Sequence, residues 1–190
     1  MKAISLWQPW ATLVALKLKT IETRGHDRFR NLSGQRIAIH ATQKWNEDGL
    51  LVSRILDSGR LTHGFALITS FNNIEMWAAR CKGKIVCTAV VEDVQWARDV
   101  VTQWVDLERR ALCAVQDKCL LFLTDIQPLR DPIPFQGRQG IFNVPDELIL
   151  SASAGSSELR RAGVRKEELS LAEAQRTQGN DNKGRVTDGR

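Results

Sequence analysis

The run KIVCTAVVEDV, Lys84 to Val94, constrains this chain more than any other segment, because Ile85, Val86, Thr88, Val90 and Val91 are almost all β-branched. Such side chains lose rotamer freedom in a helix and pack well on a pleated surface, so the segment reads as a strand. A second apolar strand is expected over Leu120–Ile126. A third is expected over Arg36–Ala41, where Ile37 and Ile39 alternate and His40 closes the run. At the N-terminus, Met1–Trp7 reads as a short strand followed by a turn at Gln8 and Pro9. Trp10, Leu13, Val14, Leu16 and Leu18 then recur at roughly helical spacing, giving a helix to about Lys17.

Further elements interleave with these. Thr20–Thr23 looks extended, and Arg24–Ser33 is a charged loop with turn chemistry. A helix is expected from Asn46, a candidate N-cap with Glu47 and Asp48 in the first turn, which would bury Leu50, Leu51, Ile55 and Leu56 and stop near Gly59. Asn72–Arg80 reads as a short helix, and Asp99–Val115 as another through Val101, Trp104, Val105, Leu107, Ala111 and Leu112. The stretch PLRDPIPFQGRQGIFNVP reads as loop with one embedded strand near Ile141–Val144. So irregular an alternation argues against a doubly wound sheet. It favours an α+β domain over residues 1–150, a small twisted β-barrel decorated by helices. From Ser151 to Arg190 there is no aromatic residue and few large apolar ones, so a flexible polar tail is expected, with at most a transient helix between Ser157 and Arg176.

Composition narrows the setting. No apolar run approaches the roughly 18 residues that a spanning helix needs, and MKAISLWQPW lacks a signal-peptide core, so a cytoplasmic protein without a membrane partner is expected. Cys81, Cys87, Cys113 and Cys119 form no C-x-x-C pair and are expected as reduced, mostly buried thiols. No metal site or other cofactor is expected, because none of the three histidines has a second one at ligand spacing. Formal net charge is +5, of which the tail holds +2. Contact with a polyanion must therefore rest on a local patch rather than a dense basic arm.

The segment SLWQPWATLVALKLKTIETR carries the most specific pattern. It resembles the ASCH family of the PUA-like superfamily, with its Ser-Leu-x-Gln-Pro-like opening and Gly-x-Lys-x-x-Glu-x-Arg signature. Lys19, Glu22 and Arg24 fill the signature places, while Lys17 stands where the family usually has Gly. That Gly would serve a turn needing positive φ or a close backbone approach. RIAIHAT and PIPFQGRQGIFNVP are further similar segments, so the resemblance spans nearly all of residues 3–145. It implies a PUA-like β-barrel with a cleft, in a superfamily associated with RNA and modified-base recognition.

The residues themselves allow that chemistry. Lys19 and Arg24 would project to opposite faces of a regular strand, so a turn between them is needed to bring the trio round one cleft. Glu22 can orient one cation and leave the other for a phosphate or base edge; the alternative is a structural ion pair. Trp7 beside Gln8 suits stacking a base and reading its edge, whereas Trp10 belongs to the core. His40, Gln43, Lys44 and Trp45 can complete a polar rim with one more ring. Arg24, Arg28 and Arg30 around Phe29 can track phosphates, and Arg138, Gln139 and Asn143 offer hydrogen bonds to a ligand edge. His26 and His63 read as surface residues.

Two functional classes follow. One is a non-catalytic reader of RNA or a modified nucleoside, with DNA also possible. The other is a hydrolase acting on RNA or N4-acylated cytidine, with Lys19 and Glu22 as catalytic groups and His40 a further proton carrier. The resemblance extends to N4-acetylcytidine amidohydrolases, but their nucleophilic Thr, three residues after the Lys, is replaced here by Glu22. Thr20 would face the wrong way, and Glu92 is the candidate second carboxylate. The reader is preferred because that nucleophile is absent. Interaction with another protein through the tail is a third reading, resting only on the tail's polar composition.

Overall fold

The computed structural model describes residues 1–46 and 71–152. The chain divides at Ile149, and the first unit, Met1–Ile149, carries six strands among the described residues. All of the helix expected from Asn46 to Gly59 except Asn46 itself lies outside the described residues, as do His63 and the tail beyond residue 152.

The strands are β1 (Lys2–Gln8), β2 (Ile21–Arg24), β3 (Arg36–Trp45), β4 (Lys84–Trp96), β5 (Cys119–Pro134) and β6 (Ile141–Asn143). Helices α1 (Trp10–Ala15), α2 (Phe71–Cys81) and α3 (Trp104–Ala111) decorate them. The sheet order is β2-β5-β4-β3-β1-β6, with β1 and β3 parallel and the other pairs antiparallel.

This order has two ends, so the expected β-barrel is corrected to an open, mixed sheet. The end strands are too short to close it: β2 has four residues and β6 three, and among the described residues no ladder joins them. β6 covers β1 only as far as Ile4. Just beyond, the carbonyl of Ser5 accepts a 3.1 Å hydrogen bond from Arg24 Nη2 at the end of β2. One guanidinium thus spans a gap that a closed barrel would fill with backbone hydrogen bonds. Three register shifts between β4 and β5 supply bend and added twist to the sheet.

Several expected boundaries move outward. β3 continues past His40 to Trp45, and β5 continues past Ile126 through Pro128, Pro132 and Pro134, a stretch expected as loop. The proline-rich part pairs with β4 in an interrupted register, Cys87 with Pro128 and then Ile85 with Ile133, so the break in pairing accommodates Leu129–Pro132. The helix expected over Asp99–Val115 contracts to Trp104–Ala111 behind a short 3-10 turn at Ala97–Asp99.

α1 is buried nearly all round, with Ala11, Thr12, Leu13, Val14 and Ala15 all inside. It ends in a Schellman motif: Leu18 N–H donates to Leu13 O at 2.9 Å, and Lys17 N–H to Val14 O at 2.8 Å. Lys17 takes the left-handed position, φ 61°. This is the place where the signature ordinarily has Gly, and the tight stop turns the chain so that Lys19 faces inward. No described helix is long and apolar enough to cross a membrane.

Candidate functional site

The gap between the end of β2 and the uncovered part of β1 opens into a cleft of about 1160 Å³. Its floor is the signature trio. Glu22 and Arg24 alternate onto one face of β2, and the turn after α1 brings Lys19 beside them. The turn that gathers the trio precedes Lys19, at residues 16–18, and does not fall between Lys19 and Arg24 as the spacing implies; from Ile21 to Arg24 the chain is regular strand.

Lys19 is 1% exposed, and its ammonium is surrounded by partners. It donates to Ala111 O at 2.5 Å, lies 3.5 Å from Glu22 Oε2, and sits 4.9 Å over the Trp10 ring. Ala111 ends α3, so the ammonium caps a carbonyl with no partner within its helix, at the negative end of the helix dipole. Glu22 also approaches Arg24 Nε at 3.4 Å, and Arg24 lies 5.1 Å over Phe29. Thr20, beside the trio, accepts from Arg110 Nε at 3.2 Å and further ties α3 to this segment. Lys19 and Glu22 therefore hold the floor together, and Arg24 is the half-buried cation that reaches the cleft.

His40 is buried and lines the wall. Its Nε2 lies 3.0 Å from Phe135 O, which can only accept, so Nε2 carries a proton. Burial pushes the imidazole below its ordinary range, outweighing the opposing hydrogen bond to Phe135, and the ring is neutral at pH 7. Nδ1 then keeps its lone pair and faces Ser5 Oγ at 3.1 Å. His40 is a fixed wall residue rather than a loose rim group.

The other expected residues separate into three sets. Trp7, Lys44, Arg138 and Gln139 line the cleft, with Trp7 49% exposed and Lys44 Nζ 5.4 Å over its ring. Arg28 and Asn143 line two adjoining recesses: Arg28 with Arg24 and Gln139, Asn143 with Arg138 and Gln139. Gln8 and Trp45 lie off the cleft. Gln8 is fully buried, donating from Nε2 to Ala78 O at 3.0 Å and accepting at Oε1 from Thr12 N–H at 3.2 Å. Its amide joins β1 and α1 to α2, leaving no end for a base. Trp45 lies beneath Lys82, 5.9 Å away. Glu92 is exposed on β4, away from the cleft lining, and Arg30 pairs with Asp27 at 3.5 Å.

The cleft also holds Ser5, which opens the Ser-Leu-x-Gln-Pro-like segment, and three residues that local sequence patterns do not mark, Thr23, Cys113 and Lys118; Trp10, expected as core, borders it from below. Cys113 and Lys118 arrive on the segment after α3, some ninety residues from the signature by chain but adjacent in space. Among the described residues the lining has five cationic side chains, Lys19, Arg24, Lys44, Lys118 and Arg138, against one carboxylate, Glu22. A modest net charge is thus locally concentrated. Among these residues no group of three His, Cys, Asp or Glu converges as a metal site.

The described unit is thus an α+β domain with an open mixed sheet and a cationic, aromatic-edged cleft at its unclosed side. The ASCH domain model matches residues 4–133, and the chain belongs to the ASCH domain family, whose members are generally associated with RNA or nucleotide binding. Solved structures similar to it include ASCH from Zymomonas mobilis, 18% identical over 80% of this chain and 93% of that one, with a TM-score of 0.47. Two single-residue variants of the same protein are 18% identical over 80% of this chain, with TM-scores of 0.43. Comparison with curated proteins gives no match.

Proposed function

We propose that this cleft binds single-stranded RNA or a modified nucleotide, reading one base against Trp7 while cations at the rim hold phosphate. The observation that carries this reading is the lining itself: five cations to one carboxylate around a cleft with a half-exposed indole at its mouth. An anionic ligand is favoured by the charge, and a flat aromatic one by Trp7, which lies under Lys44 and keeps one face for stacking. Arg24 and Arg138 stand at the passages to the two recesses, so a strand longer than one nucleotide has polar walls to follow.

Catalysis by Lys19 and Glu22 draws less support. An ammonium that is 1% exposed and held by a carbonyl, a carboxylate and a ring has no free proton to deliver to a ligand. We assign the pair to positioning Arg24 and the floor. The binding unit in this reading is residues 1–150, with 151–190 dispensable. The protein works in the cytoplasm, in accord with four free cysteines of which Cys81 and Cys87 are held as thiols by burial.

Titration of a labelled single-stranded RNA against protein at several salt concentrations tests this. Trp7→Ala should weaken binding by about 1–3 kcal/mol, the range for loss of one stacked base. Lys44→Ala and Arg138→Ala should each reduce the salt slope by about 0.7 per lost phosphate contact on single strands. Salt-independent binding, or affinity unchanged in all three variants, would overturn the proposal. Removal of residues after Leu150 should leave the affinity in place.

A further inference from the structure

Ser5 and His40 stand opposite one another in the parallel register of β1 and β3, and the preceding reading gives neither a chemical task. Ser5 Oγ lies 3.1 Å from His40 Nδ1, and the far nitrogen of the same ring is anchored 3.0 Å from Phe135 O. This is the order nucleophile, base, orienting acceptor, with a backbone carbonyl in the third place. The orienting acceptor fixes the tautomer that leaves Nδ1 free to take a proton from the hydroxyl. A second acceptor, Arg138 O at 3.0 Å, competes for the Ser5 proton and steadies the hydroxyl between two directions.

The loop above the pair is shaped to it. A Cβ at Gly137 would lie 2.2 Å from His40 Cε1, 2.3 Å from Nδ1 and 2.8 Å from Ser5 Oγ, so only glycine lets the backbone pass this close. Arg24 donates to the Ser5 carbonyl at 3.1 Å, and Arg24 lines the same cleft as both members of the pair.

We propose that Ser5 and His40 form a serine-nucleophile dyad that hydrolyses small carboxylic esters entering the cleft. Ser5 Oγ bonds to the acyl carbon as its proton passes to Nδ1. The carbonyl π pair moves onto oxygen, where the positive charge of Arg24 stabilises it. Collapse of the tetrahedral centre breaks the bond to the leaving alcohol, which takes the proton from Nδ1. Water gives a proton to Nδ1 as it attacks the acyl-serine, and collapse of this second tetrahedral centre breaks the bond to Ser5 Oγ, which takes the proton back from Nδ1 as the carboxylic acid leaves. The dyad shares the cleft of the proposed nucleic-acid site but needs no nucleic acid to react, so the two readings fail separately.

The full chain is incubated with a biotinylated fluorophosphonate, adducts are mapped by peptide mass spectrometry, and p-nitrophenyl acetate turnover is followed in parallel. The expected result is a single adduct on Ser5, with ester turnover reduced at least a hundredfold in Ser5→Ala, a variant shown to be folded by its cooperative unfolding transition. His40→Gln should slow adduct formation at least tenfold. No adduct on Ser5 in natively folded protein, or turnover retained in Ser5→Ala, would overturn the dyad and leave the pair as a lock for the Phe135–Arg138 loop. Should His40→Gln not fold, Ser5→Cys carries the same question. With His40 to draw its proton, the new thiol should react with iodoacetamide at least tenfold faster than Cys113, and a rate no greater than that of Cys113 would overturn the proposal equally.

Discussion

At the scale of single residues, the signature cations divide their labour by burial. Lys19 is enclosed and Arg24 is not, although a sequence reading weights them equally. Removing one member of a buried pair leaves the other charge without compensation, so Lys19→Ala should destabilise the fold by about 3–5 kcal/mol in urea unfolding. Lys19→Met combined with Glu22→Leu should recover most of that loss, which a role in ligand contact would not produce. His40 adds a pH dependence with a definite sign. Its folded pKa lies below the unfolded value near 6.5, so the unfolded chain binds the extra proton first. Stability from this group is complete above about pH 6.5 and declines as pH falls toward the folded value. Urea midpoints measured between pH 8 and pH 5 should fall on acidification in the wild type and less steeply in His40→Asn. These residues were nameable from the signature and from RIAIHAT. Their burial was not, because it depends on Ala111 and Phe135, which lie far along the chain.

Among the elements, α1 and β5 teach opposite lessons about punctuation residues. Gly is the usual residue for a left-handed helix stop, and here Lys17 adopts that conformation at φ 61°. Lys17→Gly should therefore stabilise the domain by about 1 kcal/mol, read as a raised urea midpoint at unchanged slope. A shift in the other direction would mean that the lysine stem makes contacts worth more than its backbone strain. The signature's vacant glycine place made this turn legible from the chain alone. β5 was legible only in its first half, since Pro128, Pro132 and Pro134 read as loop. Tertiary pairing overrides that reading, because an interrupted ladder tolerates residues that donate no hydrogen bond. The strand core at β4 was plain from its β-branched run, and its ends came within two residues.

For the molecule as a whole, closure was the feature least visible in the sequence. Counting strands cannot reveal whether the two end strands are long enough to meet, and here they are not. The open side places Cys113 on the cleft wall, half-exposed and 3.5 Å from Thr23 Oγ1, while Cys81, Cys87 and Cys119 are buried and burial pushes their thiols up. Limited alkylation of native protein should therefore modify Cys113 first, and bound RNA should protect it. Modification of Cys87 at a comparable rate would contradict the packing described.

The cleft walls join chain positions from Ser5 to Arg138, so a molecule lodged there fastens the beginning of the fold to its end. Such a guest acts as a removable cross-link. At a hundred times its Kd it would add about 2.7 kcal/mol to global stability. The protein can thus report its own natural ligand: a melting-temperature screen of nucleotides and oligonucleotides would register the right compound as a shift of the entire unfolding transition, whether or not that compound is chemically changed.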